Sequence, residues 1–405
     1  MLFETDKGEG KALIRQCLAF LPKIMFPHRF ENHLPRRVIF GRGASGALAD
    51  TLKQAGWRRA FVVSDKGVEG AGLLQAFTAP LDAEGLLAGM FANIQPEPPI
   101  DSVDGVAAQI VAARADVVIA LGGGSVMDAT KVASLVARHQ RPAREFVGIG
   151  KAGGRGLPTV LIPTTAGTGS EATFVAILTD PATGNKVGVV DPSILADIAV
   201  LDPALTDGLP GRVTAAAGMD ALVHAIEAAI ANVATPLSHG LALEAARHIG
   251  RSLEAVCREP GNRAARDGMA IGSHAAGMAF ANSSCCAVHA LALPLGGRFH
   301  IPHGVITGCF AGELMRHNAP ACGSVFAELS AALGWGKMPP LDFAARLDAV
   351  AEAIGLRARL AETPVPEAAM PAMARDAVAI RRLMDPNPRE VTEEDALRIY
   401  RAVLA

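Results

Sequence analysis

Between about residues 36 and 205, short apolar runs alternate with helical patterns. "RRAFVVSD", "ADVVIALGGG", "LPTVLIPTT" and "ADIAVLDP" each predict a buried strand stopped by Gly, Pro, Thr or Asp. "DSVDGVAAQIVAARA", between the first two, has the period and composition of a helix. Such alternation predicts a largely parallel sheet covered by helices, with ligands at the carboxyl ends of its strands. Past about residue 206 the strand signals stop. "VTAAAGMDALVHAIEAAIANV", "SHGLALEAARHIGRSLEAVCRE" and "PPLDFAARLDAVAEAIGL" are helical throughout. The expected fold is an α/β domain over 27–205 with a largely parallel sheet, then an all-α domain over 206–405. Residues 1–26 are expected to form an N-terminal extension.

Composition narrows the function classes. A chain of 405 residues, half of them hydrophobic, is globular and long enough for two cores. A net charge of −2 gives no electrostatic reason to bind nucleic acid or an anionic membrane, and 4% aromatics leave few stacking platforms for single strands. Cysteines at 17, 257, 285, 286, 309 and 322 contain no CxxC and suit free thiols in a reducing compartment. The opening "MLFETDKGEGK" lacks the basic and apolar regions of a signal peptide. Residues 268–297 carry no charged side chain, but their Gly, Ala and Ser content, with His274, Asn282, His289 and Pro294, predicts tightly packed buried helices. A cytoplasmic protein is expected.

In "DVVIALGGGSVMDATKVASLVARH" a buried strand runs through Gly122, Gly123 and Gly124 into an amphipathic helix opened by Ser125. Ser125 and Asp128 have the spacing of a capping box. The glycines let backbone N–H groups approach an anion, and the helix N-terminus adds partial positive charge, so a pyrophosphate is the natural guest. A tight strand-to-helix turn would read the same way, and the spacing is not GxGxxG. Asp65 ends another strand, where it could accept from ribose hydroxyls or simply cap a turn. "PTTAGTGSEAT" leaves a third strand with Thr164, Thr165 and Thr168 as donors to phosphate or ribose. Three such loops at strand ends favour a dinucleotide.

"GMDALVHAIEA" places Asp220 and His224 one turn apart on one helix face. Alone the pair could be a surface ion pair. Downstream, "AVHALALPLGGRFHIPHGV" adds His289 in a helical pattern and His303 within a Pro-His-Gly turn that fixes its backbone. Four O/N donors from three segments would suit Fe²⁺ or Zn²⁺, with room for a substrate oxygen. One carboxylate leaves such a site net positive, which favours an alkoxide. His239, His248, His274, His300 and His317 read as ordinary core or surface residues.

"ALGGGSVMDATK", "IPTTAGTGSEAT", "GMDALVHAIEA" and "VHALALPLGGRFHIPHGV" together resemble the iron-containing (group III) alcohol dehydrogenases, over roughly residues 36–320. The resemblance implies a dinucleotide-binding α/β domain, a helical metal-binding domain and an active site in the cleft between them. It matches Asp220, His224, His289 and His303 to the metal ligands. The expected NAD contacts are Asp65, Gly122, Gly123, Gly124, Ser125, Asp128, Thr164, Thr165, Thr168 and Lys186, the lysine through the resemblance alone. Many relatives carry a second histidine four residues after the ligand, near the nicotinamide, where this chain has Leu293. Leu293 is therefore expected to line the substrate region, with the alcohol proton leaving through ribose hydroxyls and water. The implied activity is NAD-dependent interconversion of a small alcohol and its aldehyde or ketone, in a homodimer. Alternatives are a metal-free maleylacetate reductase-like enzyme, a dehydroquinate synthase-like enzyme and a nucleotide-binding pseudoenzyme.

Overall fold

The computed structural model describes residues 27 and 29–404; the expected extension over 1–26 lies outside the described residues. Among the described residues nine strands all fall before residue 202: β1 (Arg37–Phe40), β2 (Ala60–Val63), β3 (Leu87–Phe91), β4 (Val117–Gly122), β5 (Gly148–Ile149), β6 (Thr159–Pro163), β7 (Val175–Thr179), β8 (Lys186–Val190) and β9 (Ile198–Leu201). Six form a wholly parallel sheet in the order β1-β9-β6-β4-β2-β3.

The helices of this half are α1 (Leu48–Gln54), α2 (Lys66–Gly70), α3 (Leu73–Ala83), α4 (Ser102–Ala112) and α5 (Gly124–His139). Alternate strand residues face opposite ways. Val62, Ile119, Leu121, Val160 and Ile162 meet Leu52, Phe77 and Leu81 on one face. Phe61, Val63, Val118, Ala120 and Leu161 meet α4 and α5 on the other. Burial on both faces explains why β2, β4, β6 and β9 read as continuous apolar runs. The edge strands β1 and β3 are partly exposed and gave no such signal.

A second sheet, β5-β8-β7, went unforeseen. Its antiparallel pair β7–β8 is joined across "DPATGN", a turn sequence between two apolar runs. This sheet packs over α5, which corrects the amphipathic expectation for that helix. From Val126 to Ala137 only Asp128 escapes full burial, and Lys131 is completely enclosed.

After residue 206 the described chain is helical: α6 (Gly211–Ile230), α7 (Pro236–Arg258), α8 (Arg263–Ala281), α9 (Ala287–Phe299), α10 (His303–Ala332), α11 (Pro340–Ala353), α12 (Leu356–Ala361), α13 (Met370–Val378), α14 (Arg381–Met384) and α15 (Glu393–Leu404). The uncharged 268–297 stretch is thus most of α8 and most of α9. Among the described residues one helix, α6, is long and apolar enough to cross a membrane, but 89% of its apolar window is buried among α7, α8 and α10. It is the core helix of this half.

Candidate active site

α6 carries Asp220, His224 and Glu227, all buried. Close helix crossings hold its neighbours in place. A Cβ on Gly304 would lie 2.1 Å from the Ala216 carbonyl oxygen, so only glycine lets the start of α10 cross α6 there. That crossing sets His303, the first residue of α10, beside Asp220. The Pro-His-Gly sequence thus supplies the helix start and the close approach as well as the side chain.

The structure brings the four candidate ligands together. Asp220 Oδ2 lies 3.8 Å from His224 Nδ1, and Asp220 Oδ1 lies 3.8 Å from His289 Nε2 and 3.7 Å from His303 Nε2. The His224 and His289 rings stack with centroids 4.6 Å apart, and Phe280 stacks on the other side of His224 at 4.4 Å. His224 Nδ1 and His289 Nε2 are buried without any hydrogen-bond partner. Buried ring nitrogens are normally satisfied, so two orphans turned toward one carboxylate fit a cation. Thr307 Oγ1 donates to Asp220 Oδ1 at 3.0 Å.

Electrostatics at Asp220, His224 and His303 suit the same guest, while His289 is pulled the other way. Burial, aided by His289 and His303, outweighs Asp220 and brings the His224 pKa down to about 3. Burial also lowers that of His303. Burial alone would raise Asp220, yet the three histidines and Thr307 carry it below its usual range. For His289, burial opposes charge, but Cys285 and Glu227 outweigh it and push the pKa well up.

Glu227 is the residue that the sequence reading missed. Its Oε2 lies 2.5 Å from His289 Nδ1 and accepts from Cys286 N at 2.8 Å, while Oε1 accepts from Val288 N at 2.7 Å. The buried carboxylate therefore caps α9 and orients the ring it presents. A signal existed: Glu227 follows Asp220 by seven residues and so shares its face.

The three loops emerge side by side, because β2, β4 and β6 are adjacent and Gly122 is paired with Pro163. A Cβ on Gly124 would meet Thr168 at 2.8 Å and one on Gly123 would meet Thr165 at 3.5 Å, so the glycine and threonine loops pack on each other. Thr164 N donates to Gly122 O at 3.1 Å. The threonine loop also reaches the helical half. A Cβ on Gly167 would lie 2.8 Å from Ala217 O, one on Gly169 would lie 2.6 Å from Gly277 Cα, and Gly167 makes a backbone hydrogen bond with His224.

The capping-box expectation is corrected. Gly123 is the N-cap of α5 with no side-chain cap, and Ser125 lies inside the first turn, where its Oγ accepts from Glu97 N at 3.2 Å. Asp128 points beneath the threonine loop, accepting from Ser170 Oγ at 2.6 Å and Ile177 N at 2.9 Å, with Lys131 Nζ 3.7 Å away. Asp65 caps α2, its Oδ1 accepting from Val68 N at 2.9 Å. Lys186 pairs with Glu97 at 2.9 Å and donates to Thr179 Oγ1 at 3.0 Å. Glu97 sits at φ 53°, a left-handed position for a non-glycine residue, and its charge and that of Lys186 both reach His303. Leu293 lies one turn along α9 from His289, half-buried and packed on the helical core. Of the histidines set aside, His274 is buried with Nδ1 3.0 Å from Glu171 Oε1, and His239 lies 2.9 Å from Glu328.

Residues 35–203 match the family model "Iron-containing alcohol dehydrogenase", and residues 214–404 match "Fe-containing alcohol dehydrogenase family, C-terminal". The chain belongs to the iron-containing alcohol dehydrogenase family. It is 36% identical over 384 residues to long-chain-alcohol dehydrogenase 1 of Geobacillus thermodenitrificans, covering 91% of this chain and 97% of that one. The crystal structure of a 1,3-propanediol oxidoreductase superposes with a TM-score of 0.86 at 31% identity, covering 93% of this chain and 100% of the other. The NAD⁺ complex of sulfoacetaldehyde reductase from Bifidobacterium kashiwanohense superposes with a TM-score of 0.84 at 28% identity, over 94% of this chain and 100% of that one. The dehydrogenase is an NAD-dependent, metal-containing oxidoreductase acting on a small-molecule alcohol or aldehyde.

Proposed function

We propose that Asp220, His224, His289 and His303 hold a divalent cation, Fe²⁺ or Zn²⁺, at which a small alcohol and its aldehyde or ketone are interconverted. The observation that carries this is the pair of orphaned buried nitrogens, His224 Nδ1 and His289 Nε2, turned toward Asp220. When bound, the cation supplies Lewis-acid polarisation of the substrate oxygen, and NAD supplies the hydride acceptor. The protein's part is positional. Asp220 provides the one charge among the donors, Thr307 orients it, Glu227 fixes the His289 ring, and Phe280 screens His224 from water.

In the same reading NAD lies along the carboxyl ends of β2, β4 and β6. Gly122, Gly123, Gly124 and Ser125 line the α5 N-terminus beside the pyrophosphate, Thr164, Thr165 and Thr168 face phosphate and ribose, and Asp65 offers Oδ2 to the adenosine ribose. Lys186 sits at the rim with Glu97. Asp128 acts from below, holding Ser170 and Ile177 rather than touching the cofactor. Without a histidine at position 293 the alcohol proton leaves through ribose hydroxyls and water. The domain division at 205/206 belongs to this reading and is supported by the separation of strands from helices there. A homodimer is supported by the exposed edge strand β1, where Val38 and Phe40 are 43% and 46% exposed. Free thiols at all the described cysteines suit a cytoplasmic setting.

The test is a screen of metal-reconstituted protein against short alcohols, diols and aldehydes, followed by NADH absorbance with and without a chelator. Turnover that vanishes on chelation and returns with Fe²⁺ or Zn²⁺ is expected. Chelation-insensitive reduction of a keto acid would favour the metal-free alternative, and no turnover with any substrate would overturn the proposal.

A further inference from the structure

The threonine loop holds little apolar matter. From Thr164 to Thr173 its hydrophobic residues are Ala166 and Ala172, so side-chain burial alone does little to seat it. Polar contacts clamp its far end, the turn Ser170–Ala172, from two sides. On the α5 side, Ser170 Oγ donates to Asp128, and the fully enclosed Lys131 Nζ donates to Ser170 Oγ at 2.8 Å, Thr173 Oγ1 at 3.0 Å and Val175 O at 2.9 Å. On the α8 side stands the 3.0 Å contact between Glu171 Oε1 and His274 Nδ1, its two residues only 2% and 4% exposed. His274 Nε2 is buried without a partner, so the ring's polar contact is directed to Glu171. His274 lies one turn before Gly277 on the same face of α8. There a Cβ on Gly277 would lie 2.6 Å from Gly169 O, so the glycines set how close loop and helix come. Having no side chains, they offer nothing to resist sliding.

We propose that Glu171 and His274 are positioning residues for NAD: their contact pins the threonine loop to α8 and so holds Thr164, Thr165 and Thr168 where they receive phosphate and ribose. The inference rests on the reading that NAD lies along this loop. Burying a carboxylate is costly unless it is paired, and an apolar pair of similar volume would fill the spot without that cost. The value of the polar contact is therefore directional, since it is met at one setting of the loop. A loop that spends about a tenth of its time in the receptive setting binds its ligand about tenfold more weakly. The contact acts through the loop, and neither residue is placed against the cofactor.

Fluorescence titration of the metal-loaded full-length enzyme with NADH tests this without reference to turnover. His274→Leu should raise the NADH Kd on the order of tenfold, the scale of one charge-assisted hydrogen bond. His274→Asn, whose side-chain amide can take the place of Nδ1, should stay near the wild-type Kd. Because His274→Leu leaves a buried carboxylate unpaired, the double variant Glu171→Met/His274→Leu is measured beside it. The double variant should unfold in urea at or above the wild-type midpoint and still bind NADH on the order of tenfold more weakly. A wild-type Kd in the folded double variant would overturn the positioning role, and so would a His274→Asn variant as weak as His274→Leu. A double variant that unfolds well below the wild-type midpoint would assign the pair to stability instead. Wild-type enzyme that binds no NADH would overturn the underlying placement of NAD as well.

Discussion

Glu227 and His289, both buried, are joined by a 2.5 Å contact between Oε2 and Nδ1. Nδ1 faces the Glu227 carboxylate and Nε2 faces Asp220. Glu227→Gln replaces one carboxylate oxygen with an amide NH₂, so either Val288 N–H or the pair of Cys286 N–H and His289 Nδ1 loses its acceptor, and the charge is removed. Metal affinity should fall ~10–100-fold, and stability by about 1–3 kcal/mol. Competition with a chromophoric chelator and urea unfolding read the two effects. An unchanged metal Kd would show that packing alone orients the ring.

His303 begins a 30-residue helix whose position is fixed by Gly304 against Ala216, so the ring can be removed without moving the helix. His303→Ala should retain its far-ultraviolet circular dichroism and lose bound metal and nearly all turnover. Stoichiometric metal and wild-type rates in this variant would remove His303 from the ligand set.

Asp65 caps α2 through Oδ1 and leaves Oδ2 for a ribose. A carboxylate there repels a 2′-phosphate, so NAD should be preferred to NADP. Asp65→Gly should narrow the difference in kcat/KM by ~1–3 kcal/mol, at a cost of only a few tenths of a kcal/mol for the lost cap. Equal use of both cofactors by the wild type would make Asp65 a cap and nothing more.

Leu293→His puts an ionisable ring one turn from His289 on a half-buried surface. The variant should fold, change the pH dependence of kcat and favour more polar alcohols. Superimposable pH–rate profiles over a small alcohol series would assign Leu293 to packing.

Burial pushes the thiols of Cys309 and Cys322 from 9.0 up to about 12. Both pKa values are higher folded than unfolded, so this contribution is intact below pH 9 and declines as pH rises toward 12. Each thiol should remove about 1.4 kcal/mol per pH unit in that window. Urea melts at successive pH values on wild type and Cys322→Ala should show the shallower alkaline slope in the variant; identical slopes would refute the assignment.

The four strands that read clearly from sequence are those with helices on both faces, because double burial leaves a continuous apolar run. β1 and β3, each with one neighbouring strand, carry exposed residues, and β7–β8 hides behind a mixed pattern. The candidate ligand set was legible for a related reason: Asp220 and His224 share a helical face, and the Pro-His-Gly turn marks His303. Glu227 and Glu97 were not, since their parts depend on how α9 meets α6 and how the strand-end turn meets α10. The capping box misled because Gly123 starts α5 unaided, while Asp128 satisfies backbone and hydroxyl donors from β7 and the threonine loop. Asp65 shows the opposite limit. Its position at a strand end fits two jobs, ribose acceptor and helix cap, and the cap is the one the structure displays.

The glycines at 167, 169, 277 and 304 leave main chain facing main chain wherever the threonine loop and α10 meet α6 and α8. A gap set by backbone on both sides is a fixed ruler, with no rotamer to adjust it. On the proposed reading, exchanges at positions such as Leu293 retune which alcohol enters without altering how far the threonine loop stands from α6.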